Sequence, residues 1–288
     1  MEYLIHIAII FTIYGILALS LDLVVGYTGL LSAAHAALYG IGAYTVAILA
    51  TKFGVSFFVG VLIGMIVSAI AALVIGIAVS RFRDDFYVLA TLGMTVIVGN
   101  LFLNLQSITR GPLGIPGIAR PQIGSFVFSE NSYFLILGLI ALALVYLFCE
   151  WLTSSSFGRV LKAVREDEQA LQVFGYKTHY YKLIIFMIGG ALAALAGGLY
   201  ASYITFIDPY TFSVAESVLM IAIIIMGGLS NNRGAILGAF ILVLLPEVLR
   251  FVGFPNDIAA QMRQVIYGLM LVVLMIYRPQ GMIGEYKL

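Results

Sequence analysis

The sequence is poor in charge and almost without cysteine. Only 10% of its 288 residues are Asp, Glu, Lys or Arg, against about 25% in an average soluble domain. A soluble fold must keep a wettable exterior, which 62% hydrophobic residues and a mean hydropathy of +1.08 do not supply. Lipid is therefore the solvent for most of the chain. The formal charge of +1 excludes the concentrated basic surface that nucleic acid selects for. The single cysteine, Cys149, excludes an intrachain disulfide and reads as a small apolar residue within a span. The three histidines, His6, His35 and His179, are scattered. They make no metal-ligand cluster and no serine–histidine arrangement, so the chain does not read as an enzyme. There is no Gly-Lys dipeptide and so no phosphate-cradling loop; no cofactor and no ATP site are expected in this chain. Met1-Glu2-Tyr3 lacks the basic region of a secretory signal, so the first apolar run is expected to be a retained span.

What is present is a series of hydrophobic blocks. A bilayer core of about 30 Å needs roughly 20 helical residues to cross it. Nine runs approach that length: 4–21, 30–50, 55–80, 86–106, 133–152, 183–204, 212–229, 235–252 and 258–277. The fold class expected is all-α, a polytopic transmembrane helical bundle of about eight to ten spans, some of them re-entrant or broken. The longest polar stretch, 153–182, is too short for a soluble domain. Residues 1–288 thus read as one transmembrane domain with a polar connection at 153–182.

Lys and Arg give the orientation. The 153–182 connection carries Arg159, Lys162, Arg165, Lys177 and Lys182, which places it in the cytoplasm. Alternation puts Arg81, Arg83, Arg233, Arg278 and Lys287 on the same side, and Lys52, Arg110, Arg120, Arg250 and Arg263 opposite. The bias supports the assignment.

The run 55–80 has Gly60, Gly64, Ser68, Ala72, Gly76 and Ser80 at every fourth position, and Gly190, Ala194 and Gly198 repeat the device. Small residues so spaced let helix backbones approach closely in lipid. Two segments interrupt the helical pattern. Asp22-Leu-Val-Val-Gly-Tyr-Thr-Gly-Leu-Leu-Ser-Ala-Ala-His35 carries Gly26 and Gly29 among the hydrogen-bonding groups of Tyr27, Thr28, Ser32 and His35. Gly227-Gly-Leu-Ser-Asn-Asn-Arg-Gly234 echoes it. Non-helical backbone survives at membrane depth only where protein or water covers it, and such breaks often mark a solute path.

Asp22, Glu216 and Glu247 lie in or beside apolar runs, where acids usually face a cavity or a partner. Glu247 is expected to pair with Arg250. Glu216, downstream of Pro209, either caps a helix start or meets solute. His35 reads more readily as a satisfied core histidine than as a ligand. Residues 154–175 read as one amphipathic helix with serines as N-cap and Gly175 as its stop. Such a helix either floats at the interface or docks in a cleft of a soluble partner.

Four motifs resemble those of a known family. They are Asp22-Leu-Val-Val-Gly-Tyr-Thr-Gly-Leu-Leu-Ser32 followed by His35, Thr109-Arg-Gly-Pro-Leu-Gly-Ile-Pro-Gly117, Gly158-Arg-Val-Leu-Lys-Ala-Val-Arg-Glu-Asp-Glu168, and Met226-Gly-Gly-Leu-Ser230 with Gly234. The ending Tyr277-Arg-Pro-Gln-Gly281 fits the same pattern. In these the chain resembles the M-type membrane permease subunits of branched-chain amino-acid ABC importers. The resemblance implies a permease working by alternating access in a bacterial or archaeal cytoplasmic (inner) membrane. It implies a heterodimer with a paralogous permease subunit, two cytoplasmic ATPase subunits that bind the ATP, and an extracytoplasmic solute-binding protein. It places an ATPase-coupling helix within 157–175, with Phe157, Gly158, Arg159, Lys162, Arg165, Glu166, Asp167, Glu168 and Gly175 as its residues. Asp22, Tyr27, Thr28, Ser32, His35 and Glu216 are the expected solute-path residues. Urea and short-amide importers share much of the pattern, and a proton-coupled secondary transporter using Asp22, Glu216 or Glu247 is the other alternative.

Overall fold

In the computed structural model, residues 2–80, 82, 84–123, 126–128, 130–251, 265, 268, 269, 272, 273, 276–278 and 280–283 are described. The helices are α1 (Glu2–Thr28), α2 (His35–Phe53), α3 (Phe57–Val79), α4 (Asp84–Asn104), α5 (Gln106–Thr109), α6 (Asn131–Ser154), α7 (Ser156–Glu166), α8 (Glu168–Val173), α9 (Thr178–Ile204), α10 (Val214–Gly227) and α11 (Asn232–Phe251). Short strands β1 (Ile115–Pro116), β2 (Gln122–Ile123), β3 (Phe126–Val127) and β4 (Phe206–Ile207) lie in the connections. β1 pairs antiparallel with β4 and β2 with β3.

Six of these helices, α1, α2, α3, α4, α6 and α9, are long and apolar enough to cross a membrane. α10 and the first part of α11 form a bent pair that turns by 120° at the 228–231 break. Together they account for eight of the nine hydrophobic blocks. The ninth, 258–277, lies mostly outside the described residues, as do Arg81, Arg83, Arg263, Lys287 and the side chains of Glu247 and Arg250.

α1 and α9 run through the centre. From Ile9 onward α1 is buried on nearly every face, packed by α6, α9, α10 and α11. α3 shows how the sequence arranges this in lipid, where apolarity alone does not tell a helix which face to bury. Its large residues Leu62, Ile66, Ile70, Val74 and Ile77 stay exposed, while Gly60, Gly64, Ser68, Ala72 and Gly76 are buried against α2 and α9. The Ser68 hydroxyl lies 3.1 Å from the Leu38 carbonyl and 2.9 Å from that of Gly190. Gly42 of α2 lies against the backbone of Ala194. The small-residue stripe therefore packs α2, α3 and α9 at backbone distance.

α7 and α8 sit at one end of the bundle, beside the C-terminus of α1 and the N-terminus of α9. The opposite end carries Lys52, whose ammonium donates to the carbonyls of Ser107 (2.9 Å) and Ile108 (3.3 Å), and Arg120, which donates to Asn131 (3.2 Å).

Candidate functional site: two broken helices and an end-docked amphipathic helix

The first break is shorter and deeper than the sequence pattern indicates. α1 stays helical through Gly26, Tyr27 and Thr28, and only 29–34 is irregular. α2 then starts inside the bundle. His35, its first residue, is fully buried and its Nε2 lies 2.7 Å from the Ser20 hydroxyl. Ser20 stands eight residues before the end of α1, about 12 Å along the axis at 1.5 Å per residue. The link therefore re-enters the protein by that distance.

Each exposed backbone group at such depth needs a partner. Thr91 of α4 accepts from the amide of Ala33 (3.0 Å), and Thr95, one turn on, donates to the Ala33 carbonyl (2.7 Å). Ser32 accepts from the amide of Ala34 (3.3 Å). Ser217 of α10 accepts from the Ala36 amide (3.1 Å), one of the first-turn donors that α2 cannot satisfy internally. The two half-buried helix starts, of α2 and α10, are thus tied to each other.

The second break meets the first at the α7 end. Gly26 is glycine for steric reasons: a Cβ there would overlap the Asp22 carboxylate and the Ser230 amide. Asp22 is fully buried and its Oδ1 accepts from the Ser230 amide (3.0 Å). Ser230 holds a left-handed backbone (φ 61°) that non-glycine residues rarely adopt, and its hydroxyl donates to the Gly26 carbonyl (2.5 Å). The Gly26 carbonyl is one of the acceptors that the end of α1 leaves unpaired. Arg165 of α7 donates to this same carbonyl and to the Ser230 hydroxyl (2.9 Å). One guanidinium thus bridges α7 and both helix breaks.

α7 is fixed to the bundle by more than Arg165. Leu161 and Val164 are buried, and Lys162 lies 5.5 Å from the ring centroid of Tyr27. Burying such aliphatic side chains contributes about 1.5–3 kcal/mol each, and an exposed cation–π contact about 0.5–1 kcal/mol. Ser155 caps the helix by accepting from the Gly158 amide (3.4 Å), and Gly158 has no room for a Cβ against Thr153.

The single helix expected over 154–175 is in fact two. Asp167 is extended (φ −155°), ends α7, and caps α8 by accepting from the Ala170 amide (2.9 Å). Gly175, in the left-handed region (φ 86°), closes α8. Glu168 turns back to α9: it meets Lys182 at 2.5 Å and accepts from Thr178 (2.9 Å). α8 has no buried residue, and Val173 and Phe174 are 86% and 79% exposed. Phe157 is half-buried against Tyr181, with ring centroids 5.3 Å apart, while Arg159 and Glu166 are exposed.

Glu216 stands apart from this knot, in the first turn of α10, where Tyr14 of α1 donates to its Oε1 (2.6 Å). Of the sequence-selected path residues, Asp22 lies in the knot with Tyr27 and Thr28 beside it on the last turn of α1, Ser32 and His35 lie on the re-entering link, and Glu216 faces the middle of α1. Thr91, Thr95 and Ser217 were not singled out from the sequence. The signal was there in Thr91 and Thr95, two hydroxyls four residues apart in the apolar middle of α4. The residues just after the Tyr277–Gly281 motif also join the site: the amides of Met282 and Ile283 donate to the carbonyls of Met226 and Gly227, each at 3.0 Å.

Helices long and apolar enough to cross a membrane, two interrupted segments meeting at one end and an amphipathic helix pinned to that meeting point are the architecture of a polytopic membrane protein. The chain matches the family model described as branched-chain amino acid transport system / permease component over residues 3–275. It is similar to the high-affinity branched-chain amino acid transport system permease protein LivM of Escherichia coli, 35% identical, covering 97% of this chain and 69% of that protein. It is 27% identical to the probable branched-chain amino acid transport permease protein LivM of Methanocaldococcus jannaschii, covering 79% of this chain and 69% of that one. It is 28% identical to the autoinducer 2 import system permease protein LsrC of Yersinia enterocolitica, covering 68% and 58%. No solved structure matches. The chain belongs to the family of branched-chain amino-acid transport permeases and is a multi-pass membrane protein.

Proposed function

We propose that this chain is one of two paralogous permease subunits of an ATP-driven importer for branched-chain amino acids in a bacterial or archaeal cytoplasmic membrane. Its single domain, 1–288, holds no nucleotide. Two partner ATPases bind ATP on the cytoplasmic side, where the 153–182 segment meets them, and a binding protein delivers solute at the opposite face. The carrying observation is the bridge from Arg165 to the Gly26 carbonyl and the Ser230 hydroxyl. A displacement of α7 cannot leave the two breaks in place while that bridge holds.

α8 is the face offered to an ATPase, because the large apolar residues Val173 and Phe174 at its end stay exposed. Arg159, Glu166 and Asp167 are exposed on the same connection, and Glu168 keeps α8 tied to α9 so that force reaches the long helix. The solute path runs past the re-entering link, with Ser32, His35 and Glu216 along it and Asp22, Tyr27 and Thr28 at its cytoplasmic end. Closure of the ATPases shifts α7, the Gly26–Ser230 contact slides, and the path opens to the other side.

Replacing Val173 and Phe174 by aspartate tests the docking. The ATPases are expected to dissociate from the purified importer and substrate-stimulated hydrolysis to vanish. Co-purification at the original ratio with hydrolysis intact would refute the placement of α8.

A further inference from the structure

The part of the bundle away from the knot holds a second polar centre. One oxygen of Glu216 takes the Tyr14 hydroxyl at 2.6 Å. Among the described residues its other oxygen has no hydrogen-bond donor, and no basic side chain pairs with it. A carboxylate used only to hold Tyr14 would not need its charge, since an amide accepts the same bond.

Around it stand aromatic rings. Phe212 precedes Glu216 by four residues in the turn into α10, and the bond from the Ala36 amide to Ser217 sets it beside the first turn of α2, which leads to Tyr39. The Tyr39 ring lies 5.0 Å from that of Phe212 and 5.7 Å from that of Tyr200. Tyr44 stacks on Phe102 at 4.4 Å and faces Phe212 at 5.9 Å. The Tyr44 hydroxyl is buried and, among the described residues, has no partner. Phe212 belongs to the turn that leads into α10.

An unpaired carboxylate beside aromatic faces and an apolar wall is complementary to one kind of solute: an ammonium attached to a compact alkyl group. We propose that Glu216 receives the ammonium of the passing amino acid while the rings of Tyr39, Tyr44, Phe102 and Phe212 receive its alkyl side chain. This rests on the substrate class argued above and adds where in the chain that class is recognised. The site then selects against solutes that lack the positive charge.

The test uses the complete importer in liposomes, with radiolabelled L-leucine as probe, and compares Glu216→Gln with Glu216→Asp. Gln keeps the length and the acceptor for Tyr14 but not the charge; Asp keeps the charge and shortens the reach. Ammonium recognition requires Gln to lower leucine uptake per ATP hydrolysed by about tenfold or more, the worth of one bond to a charged group, with Asp the milder change. A structural role predicts the reverse order, with the Asp variant melting at the lower temperature. Uptake in the Gln variant within about twofold of wild type, or the reverse order, overturns the inference and leaves the substrate class standing. Wild-type uptake confined to uncharged solutes overturns both.

Discussion

Replacing Arg165 by alanine is the sharpest perturbation of the proposed lever. The side chain donates to the Gly26 carbonyl and to the Ser230 hydroxyl, next to the buried Asp22 that accepts from the Ser230 amide. A hydrogen bond from a charged group contributes about 1.5–3 kcal/mol. The two share one guanidinium and one acceptor neighbourhood, so they do not add fully. Ser230 still donates to Gly26 in the variant, which keeps the knot formed but unlinked from α7. A loss of about 2 kcal/mol in the coupling between α7 and the breaks follows, or roughly a 30-fold shift in how strongly one biases the other. The assay is simultaneous leucine uptake and ATP hydrolysis by the complete importer in liposomes. ATP hydrolysis should continue while uptake per ATP falls by at least tenfold. Lysine at 165 keeps the charge but not the planar fork and should fall between the two. An alanine variant that transports with wild-type stoichiometry would refute the lever argument.

Two further predictions concern the frame that holds the site. Thr95→Val keeps the shape but strands the Ala33 carbonyl inside the bundle, and should lower stability by about 1 kcal/mol, with Thr95→Ser close to wild type in a thermal-denaturation assay. Gly42→Leu forces a side chain into the Ala194 backbone and should cost about 1–3 kcal/mol or abolish the folded peak on size-exclusion, whereas Gly93→Leu, where a Cβ meets open space, should be neutral.

Much of this was legible from residue order because lipid makes the code simple. The small-residue stripe from Gly60 to Gly76 identified the buried face of α3, and apolar run lengths identified the spans. Both broken segments were visible from their glycines. Their depth was not. Gly26 suggested that α1 ends early, yet the helix continues through it, because glycine there answers to the approach of Ser230 rather than to a turn. Asp167 read as lying within one helix over 154–175, but its own side chain caps the next helix and divides that segment in two. The meeting of Asp22, Arg165 and Ser230 joins positions 143 and 65 residues apart. No local pattern carries that information; it arises only when α1, α7 and α10 pack at one end. Ser230 itself lay within a recognised motif without any sign of its role, since a strained serine looks in sequence like any other turn residue.

The central claim is that this chain moves solute only when a separate motor pulls on α7. The direct measurement is uptake of labelled leucine into liposomes in two arms, one with the full set of subunits and ATP, the other with this chain alone under an imposed proton gradient. The account predicts accumulation in the first arm and none in the second. Gradient-driven uptake by the isolated chain, indifferent to ATP, would contradict it.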